Sequence, residues 1–226
     1  MTESTTPLAV AIDGPAGAGK SSAAKAAAKA AGMVYIDTGA MYRAVALFAV
    51  NNNVSVRDKE KVVGLLDAIQ IDMNHEGRLL LMGTDVTSEL RDPSVSEGSS
   101  IVAEYREVRE KLVKLQRDMA HRYSVIMEGR DIGSAVLRNA QIKIYLDASP
   151  EERARRQLKD QQRRGKNPNF EQVLRETIER DKRDMERVFS PLVKVNDAEL
   201  IMTDGMSEAE VIDTILKRIH EFRGTV

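Results

Sequence analysis

The stretch Leu8-Ala9-Val10-Ala11-Ile12-Asp13-Gly14-Pro15-Ala16-Gly17-Ala18-Gly19-Lys20-Ser21 constrains this chain more than any other, because an apolar run turns at once into glycine-rich sequence. Gly14, Gly19, Lys20 and Ser21 satisfy the spacing G-x-x-x-x-G-K-[ST], and the run from Ser22 to Ala28 is built mostly of helix formers. Strand, glycine turn and helix in that order make an anion cradle. Glycines let the backbone wrap closely around phosphate oxygens, and the free N–H groups at the helix start point at the same charge. Lys20 then reaches the outer phosphates of a nucleoside triphosphate as a point charge, and the Ser21 hydroxyl sits on the Mg²⁺ that bridges them.

The helix after the loop should run to about Ala31 with Gly32 as its C-cap. Met33-Val34-Tyr35-Ile36 reads as a short strand ending in Asp37-Thr38-Gly39, and Ala40 to Phe48 as a largely buried helix. Arg43 interrupts that helix, and a cation there asks for an anion nearby, either a carboxylate or a ligand in a cleft. From Asn51 to Gly98 alternation replaces the apolar pattern. Ile69–Met73 and Arg78–Met82 flank Asn74-His75-Glu76-Gly77 as a hairpin, Asp85–Thr87 adds a third strand, and Lys59–Ala68 reads as a helix. This is a small inserted α+β lobe, and no residue in it, His75 included, forms a catalytic set. A long amphipathic helix is expected from Ser99 to Tyr123. Val125–Met127 is a buried strand that delivers Glu128-Gly129-Arg130-Asp131 to its carboxyl end, where open parallel sheets bind ligands. Two further strands, Ile142–Asp147 and Leu200–Thr203, precede a helix from Ser207 to about Phe222, opened by the capping-box pair Ser207 and Glu210.

Residues 151–187 are the most densely charged part of the chain, divided into two helices by Gly165-Lys166-Asn167-Pro168-Asn169. Alone, such a run would read as a solvated face. Arg180, Arg183 and Arg187 share one helical face, however, and crowded cations call for an anion; once the phosphate loop is granted, triphosphate supplies it. The 34 basic and 35 acidic residues nearly cancel, which argues against general nucleic-acid binding, and aromatics at 4% argue against base-stacking platforms. Without cysteine there is no disulfide framework, thiolate metal site or thiol nucleophile. With no secretion leader read in Met1 to Pro7 and no apolar run long enough to span a bilayer, the expectation is a cytoplasmic protein without a membrane partner.

A phosphate cradle, a second anion site at neighbouring strand ends and an arginine-rich helical pair together imply phosphoryl transfer between two phosphorylated molecules. A hydrolase would need one such site, whereas a closing lid excludes the water that a transferase must avoid. The run Ile12 to Lys20, Asp37-Thr38-Gly39-Ala40-Met41-Tyr42-Arg43, Gly129-Arg130-Asp131-Ile132-Gly133, Ile144-Tyr145-Leu146-Asp147-Ala148-Ser149, Arg180-Asp181-Lys182-Arg183-Asp184 and Ser190-Pro191-Leu192 resembles, in order over nearly the whole chain, the bacterial cytidylate kinase family.

The resemblance implies transfer of the ATP γ-phosphoryl group to CMP or dCMP with Mg²⁺ as cofactor; nothing in the sequence insists on an interface, and a monomer is expected. It places Thr38, Tyr42 and Arg43 around the acceptor nucleotide and Arg130 on its phosphate. Asp131 would orient the reacting groups and the hydration shell of the Mg²⁺ held by Ser21. Ser100, Arg109 and Asp184 would read the cytosine edge, with Arg180 approaching the acceptor; a serine, an arginine and an aspartate together supply the donors and acceptors that edge needs. Arg153, Arg156 and Arg187 would clamp the donor phosphates held by Gly14 to Ser22, and Lys20, Arg130, Asp131 and Arg187 form the implied catalytic group. Two departures stand out: Glu128 opens a motif often written D-G-R-D, so a contact with the acceptor there can shift, and Thr38 occupies a position where serine is also common. The fold expected is a three-layer α/β P-loop NTPase fold with a central parallel sheet: a core of residues 1–50, 98–150 and 188–226, an inserted monophosphate lobe at 51–97 and a helical lid at 151–187. Two alternatives remain, another nucleoside monophosphate kinase of this fold and a non-transferring nucleotide-binding switch. The guanine-reading N-K-x-D pattern of GTPases is absent from the sequence.

Overall fold

The computed structural model describes residues 7–73, 78–163 and 165–225. The chain divides into two compact units, one made of residues up to 35 together with 123–226 and the other of residues 36–122.

The first unit is built on β1 (Ala9–Asp13), which lies at the centre of a five-stranded sheet. The order across the sheet is β2 (Val34–Asp37), β6 (Val125–Glu128), β1, β7 (Ile142–Asp147) and β8 (Glu199–Met202). β1 runs parallel to β6 and β7, and β7 parallel to β8. Central parallel strands are apolar on both faces, so Val10, Ile12, Ile126, Ile144 and Leu146 are fully buried. Helix α1 (Lys20–Ala31) lays Ala23, Ala24, Ala27 and Ala28 into the same core, to which α8 (Glu208–Thr225) adds Val211, Ile215 and Ile219. Alanines on that face give α1 a flat surface for close packing. Gly32 ends the helix at φ 66°, as its sequence position requires, and the Ser207–Glu210 box closes reciprocally at the start of α8. The charged run folds as α6 (Pro150–Arg163) and α7 (Phe170–Glu186). Gly165 takes φ 76° between them, and the Asn169 side chain accepts from the Glu171 N–H at 2.8 Å to cap α7.

The second unit contains α2 (Thr38–Asn51), α3 (Lys59–Gly64), an antiparallel sheet of β3 (Ile71–Met73), β4 (Leu79–Leu81) and β5 (Thr84–Asp85), then α4 (Pro93–Val102) and α5 (Arg106–Arg122). The hairpin is therefore present, although its expected turn, Asn74 to Gly77, lies outside the described residues. Two helices differ from their sequence reading. The one expected over Ser99–Tyr123 starts earlier, where the Asp92 side chain accepts from Ser94 N–H at 2.8 Å, and breaks at 103–105, where the Tyr105 hydroxyl donates to the Val56 carbonyl at 2.8 Å. The helix expected to Ala68 stops at Gly64, a poor helix residue, and the chain continues in turns. Among the described residues, no helix is long and apolar enough to cross a membrane.

Candidate active site

β1 feeds directly into the glycine loop. A Cβ on Gly14 would stand 1.9 Å from the Leu146 carbonyl oxygen, and the residue sits at φ 144°, so the turn can be made only by glycine. Gly19 takes the left-handed conformation at the start of α1 (φ 90°). Lys20 is buried and folds back across its own loop, its Nζ donating to the Pro15 carbonyl at 2.7 Å. Burial lowers its pKa to about 7; the nearby charge of Arg130 adds to this, while Glu128 and Asp13 oppose it. An arriving phosphate is the partner that would restore the full charge.

The Ser21 hydroxyl donates to Glu128 Oε1 at 2.6 Å, and the Tyr35 hydroxyl donates to the same oxygen at 3.2 Å. Glu128 ends β6, the strand next to β1, which brings its carboxylate onto the phosphate loop. This set fits Mg²⁺. Among the described residues no cluster of three or more His, Cys, Asp or Glu could hold a metal, but Mg²⁺ keeps several waters and shares substrate oxygens, so a hydroxyl with one or two carboxylates suffices.

The Gly129-Arg130-Asp131 turn leaves β6 at the same edge. Asp13 accepts the Ile132 N–H on Oδ1 and the Gly133 N–H on Oδ2, both at 2.8 Å, and these open a short π-helical turn at Ile132–Val136. Burial raises the Asp13 pKa to about 6; the two backbone N–H groups pull it down and the charge of Asp131 pushes it up. Arg130 donates from Nε to Asp184 Oδ2 at 2.7 Å and from Nη1 to the Gly129 carbonyl at 3.2 Å. Burial opposes the charge on both partners, but their mutual attraction outweighs it, raising the Arg130 pKa and lowering that of Asp184. Arg187 donates to the Ser190 carbonyl at 2.6 Å and to Asp131 Oδ1 at 3.4 Å. The charge of Arg180 reaches both Lys20 and Asp184.

Arg153 is buried and almost fully engaged. It binds Asp181 through two oxygens at 2.9 and 2.6 Å and donates to the carbonyls of Ala148 and, on the loop, Ala16. Arg156 donates to Glu152, to Thr203 Oγ1 and to the Thr203 carbonyl, and a Cβ on Gly19 would lie 3.8 Å from its Nη1. Both arginines thus border the phosphate loop while holding protein oxygens.

In the second unit, Asp37 caps α2 through the Ala40 N–H and pairs with Arg43 at 2.8 Å, so the anion expected near Arg43 is a carboxylate six residues earlier. The Arg109 guanidinium lies 5.6 Å from the centroid of the Tyr42 ring and donates to the Ala103 carbonyl at 3.3 Å. Thr38 is buried at the start of α2, and Ser100 is partly exposed on α4. Sequence reading had not singled out Asp13, Asp181, Tyr35 or Thr203. Asp13 carried the clearest signal, since a carboxylate at the end of a buried strand must find partners.

Residues 10–221 match the family model described as cytidylate kinase. The chain belongs to the cytidylate kinase family. Among cytidylate kinases, that of Desulfitobacterium hafniense is 46% identical over 216 residues, covering 95% of this chain and 93% of that protein. Those of Pelotomaculum thermopropionicum and Bacillus subtilis are 47% and 44% identical, covering 93% and 95% of this chain and 95% and 97% of the relatives. The fold is shared with an uncharacterized protein from Eubacterium ventriosum, with a TM-score of 0.52 at 15% identity over 94% of this chain and 98% of that one.

Proposed function

We propose that this chain transfers the γ-phosphoryl group of ATP to CMP or dCMP, giving ADP and CDP or dCDP. The observation that carries the proposal is the pairing of β1 with β6 in parallel, so that the phosphate loop and the Gly129-Arg130-Asp131 turn leave adjacent strands at one edge of the sheet. A cradle for donor phosphates and an arginine turn able to take another phosphate then belong to one rigid frame. Family membership supports cytidine monophosphate as the acceptor.

In this reading Lys20 exchanges the Pro15 carbonyl for the donor's outer phosphates, and Arg130 exchanges Asp184 for the acceptor phosphate. Asp131, held through its turn, orients the reacting oxygens, with Arg187 beside it on the developing charge. Arg153 and Arg156 reach donor phosphates by yielding some of the protein oxygens they now hold, and Gly14 to Ser22 wrap the rest. Bound Mg²⁺, for which Ser21 with Glu128 and Asp131 are the proposed holders, would neutralise phosphate charge during transfer. Thr38, Tyr42, Arg43, Ser100, Arg109, Glu128, Arg130, Arg180 and Asp184 are the residues proposed to bind the acceptor. The near-balanced charge supports a role without nucleic acid; work in the cytoplasm as a monomer, without a membrane partner, completes the proposal.

Incubation with γ-labelled ATP and CMP tests the proposal. Label appearing in CDP is expected, while tight ATP binding with no transfer to any monophosphate would replace it with the nucleotide-switch reading.

A further inference from the structure

The Asp13 carboxylate occupies an unusual place. Through the chain it begins the phosphate loop, its neighbour being Gly14. Through space it accepts, one on each oxygen at 2.8 Å, the N–H groups of Ile132 and Gly133. These are the two residues that follow Asp131. The side chain is buried, so these bonds are not shared with bulk water, and a Cβ on Gly133 would lie 3.3 Å from Lys143 Cδ and 3.4 Å from Asp13 Oδ2 itself. One carboxylate therefore spans from the donor cradle to the turn carrying Arg130 and Asp131, at the point where neighbouring strands release both.

We propose that Asp13 is a positioning residue for phosphoryl transfer, acting through Asp131 and Arg130 by fixing their turn relative to the phosphate loop; this rests on the kinase reading above. The reasoning is geometric. In-line transfer needs the donor and acceptor oxygens held to within a fraction of an ångström, and β-strand pairing alone ends at Ile12↔Glu128, before either loop begins. The next lateral tie beyond that pair is the Gly129 N–H donating to the Ile12 carbonyl at 3.0 Å, and the Asp13 bonds extend the connection past Asp131. Asparagine in place of Asp13 keeps the volume but turns an amide NH₂, itself a donor, toward one of the two N–H groups, breaking the double tie while leaving the glycine loop intact.

The test compares the full-length parent with Asp13→Asn and Asp13→Glu, measuring kcat with CMP, ATP affinity by titration and the unfolding midpoint. A displacement of this kind is expected to cost about 10²-fold in kcat for Asp13→Asn, with ATP affinity kept within about threefold and Asp13→Glu, which retains both oxygens, recovering part of the rate. The inference is overturned by an Asp13→Asn kcat within threefold of the parent, by Asp13→Glu no faster than Asp13→Asn, or by ATP affinity falling by the same factor as kcat. Should Asp13→Asn fail to fold, Asp13→Glu decides: a kcat loss of threefold or more with ATP affinity retained supports the role, and parental kcat or equal losses overturn it. A parent that binds ATP but does not phosphorylate CMP overturns the kinase reading and this role with it, whereas an active parent matched by Asp13→Asn overturns the Asp13 role alone.

Discussion

Arg130 and Lys20 both hold protein oxygens that a phosphate could replace, and each makes a prediction at the residue scale. Arg130 is paired with Asp184 at 2.7 Å in a buried setting, so its full charge is ready for an acceptor phosphate. Arg130→Ala is expected to lower kcat/KM for CMP by about 10²- to 10³-fold, the scale of losing a preorganised cation on a transferring group, with ATP affinity changed only a few-fold. Steady-state kinetics beside an ATP titration checks this, and equal loss of both would make the residue structural. Lys20 sits below its ordinary pKa of 10.5, at about 7. Between those values the unfolded chain carries the proton that the fold disfavours, so this group's contribution to stability rises with pH across that window. A phosphate beside Nζ reverses the shift. ATP binding at pH 8 should therefore be accompanied by net proton uptake, read by calorimetry in buffers of different ionisation enthalpy and lost in Lys20→Met. Asp13 belongs to the same scale but was harder to see, because a sequence names the carboxylate without saying which backbone N–H groups it will meet.

Among the elements, those specified by local chemistry were legible and those decided by tertiary contact were not. The loop from Gly14 to Ser21 could be read directly, since the close passage of Leu146 leaves room only for glycine at position 14. Gly14→Ala should accordingly abolish ATP binding in any protein that still folds, checked by titration with a fluorescent ATP analogue. Gly32 and the Ser207–Glu210 box likewise marked real helix ends, and the run from Gly165 to Asn169 marked the break between α6 and α7. By contrast, nothing in the apolar period around 99–123 marks the break before α5, because the Tyr105 hydroxyl reaches a carbonyl some fifty residues away in the chain. The cap on α7 gives a stability prediction: Asn169→Ala should cost about 1 kcal/mol in denaturant unfolding, and an unchanged midpoint would mean that the cap adds nothing to that helix.

At the scale of the whole molecule, the match over residues 10–221 and relatives of similar length make the family plain. Tyr42 and Arg109 are brought together in one unit, and Arg130 and Asp184 in the other. That grouping was legible only through ordered motifs, since the spacing between them says nothing about which will touch. Cytidine monophosphate as the acceptor is tested by a coupled assay of ADP release with saturating ATP and Mg²⁺ across CMP, dCMP, UMP, AMP, GMP and dTMP. CMP and dCMP should give the highest kcat/KM of the six; a clear preference for AMP or GMP, or no turnover with any acceptor, overturns the assignment.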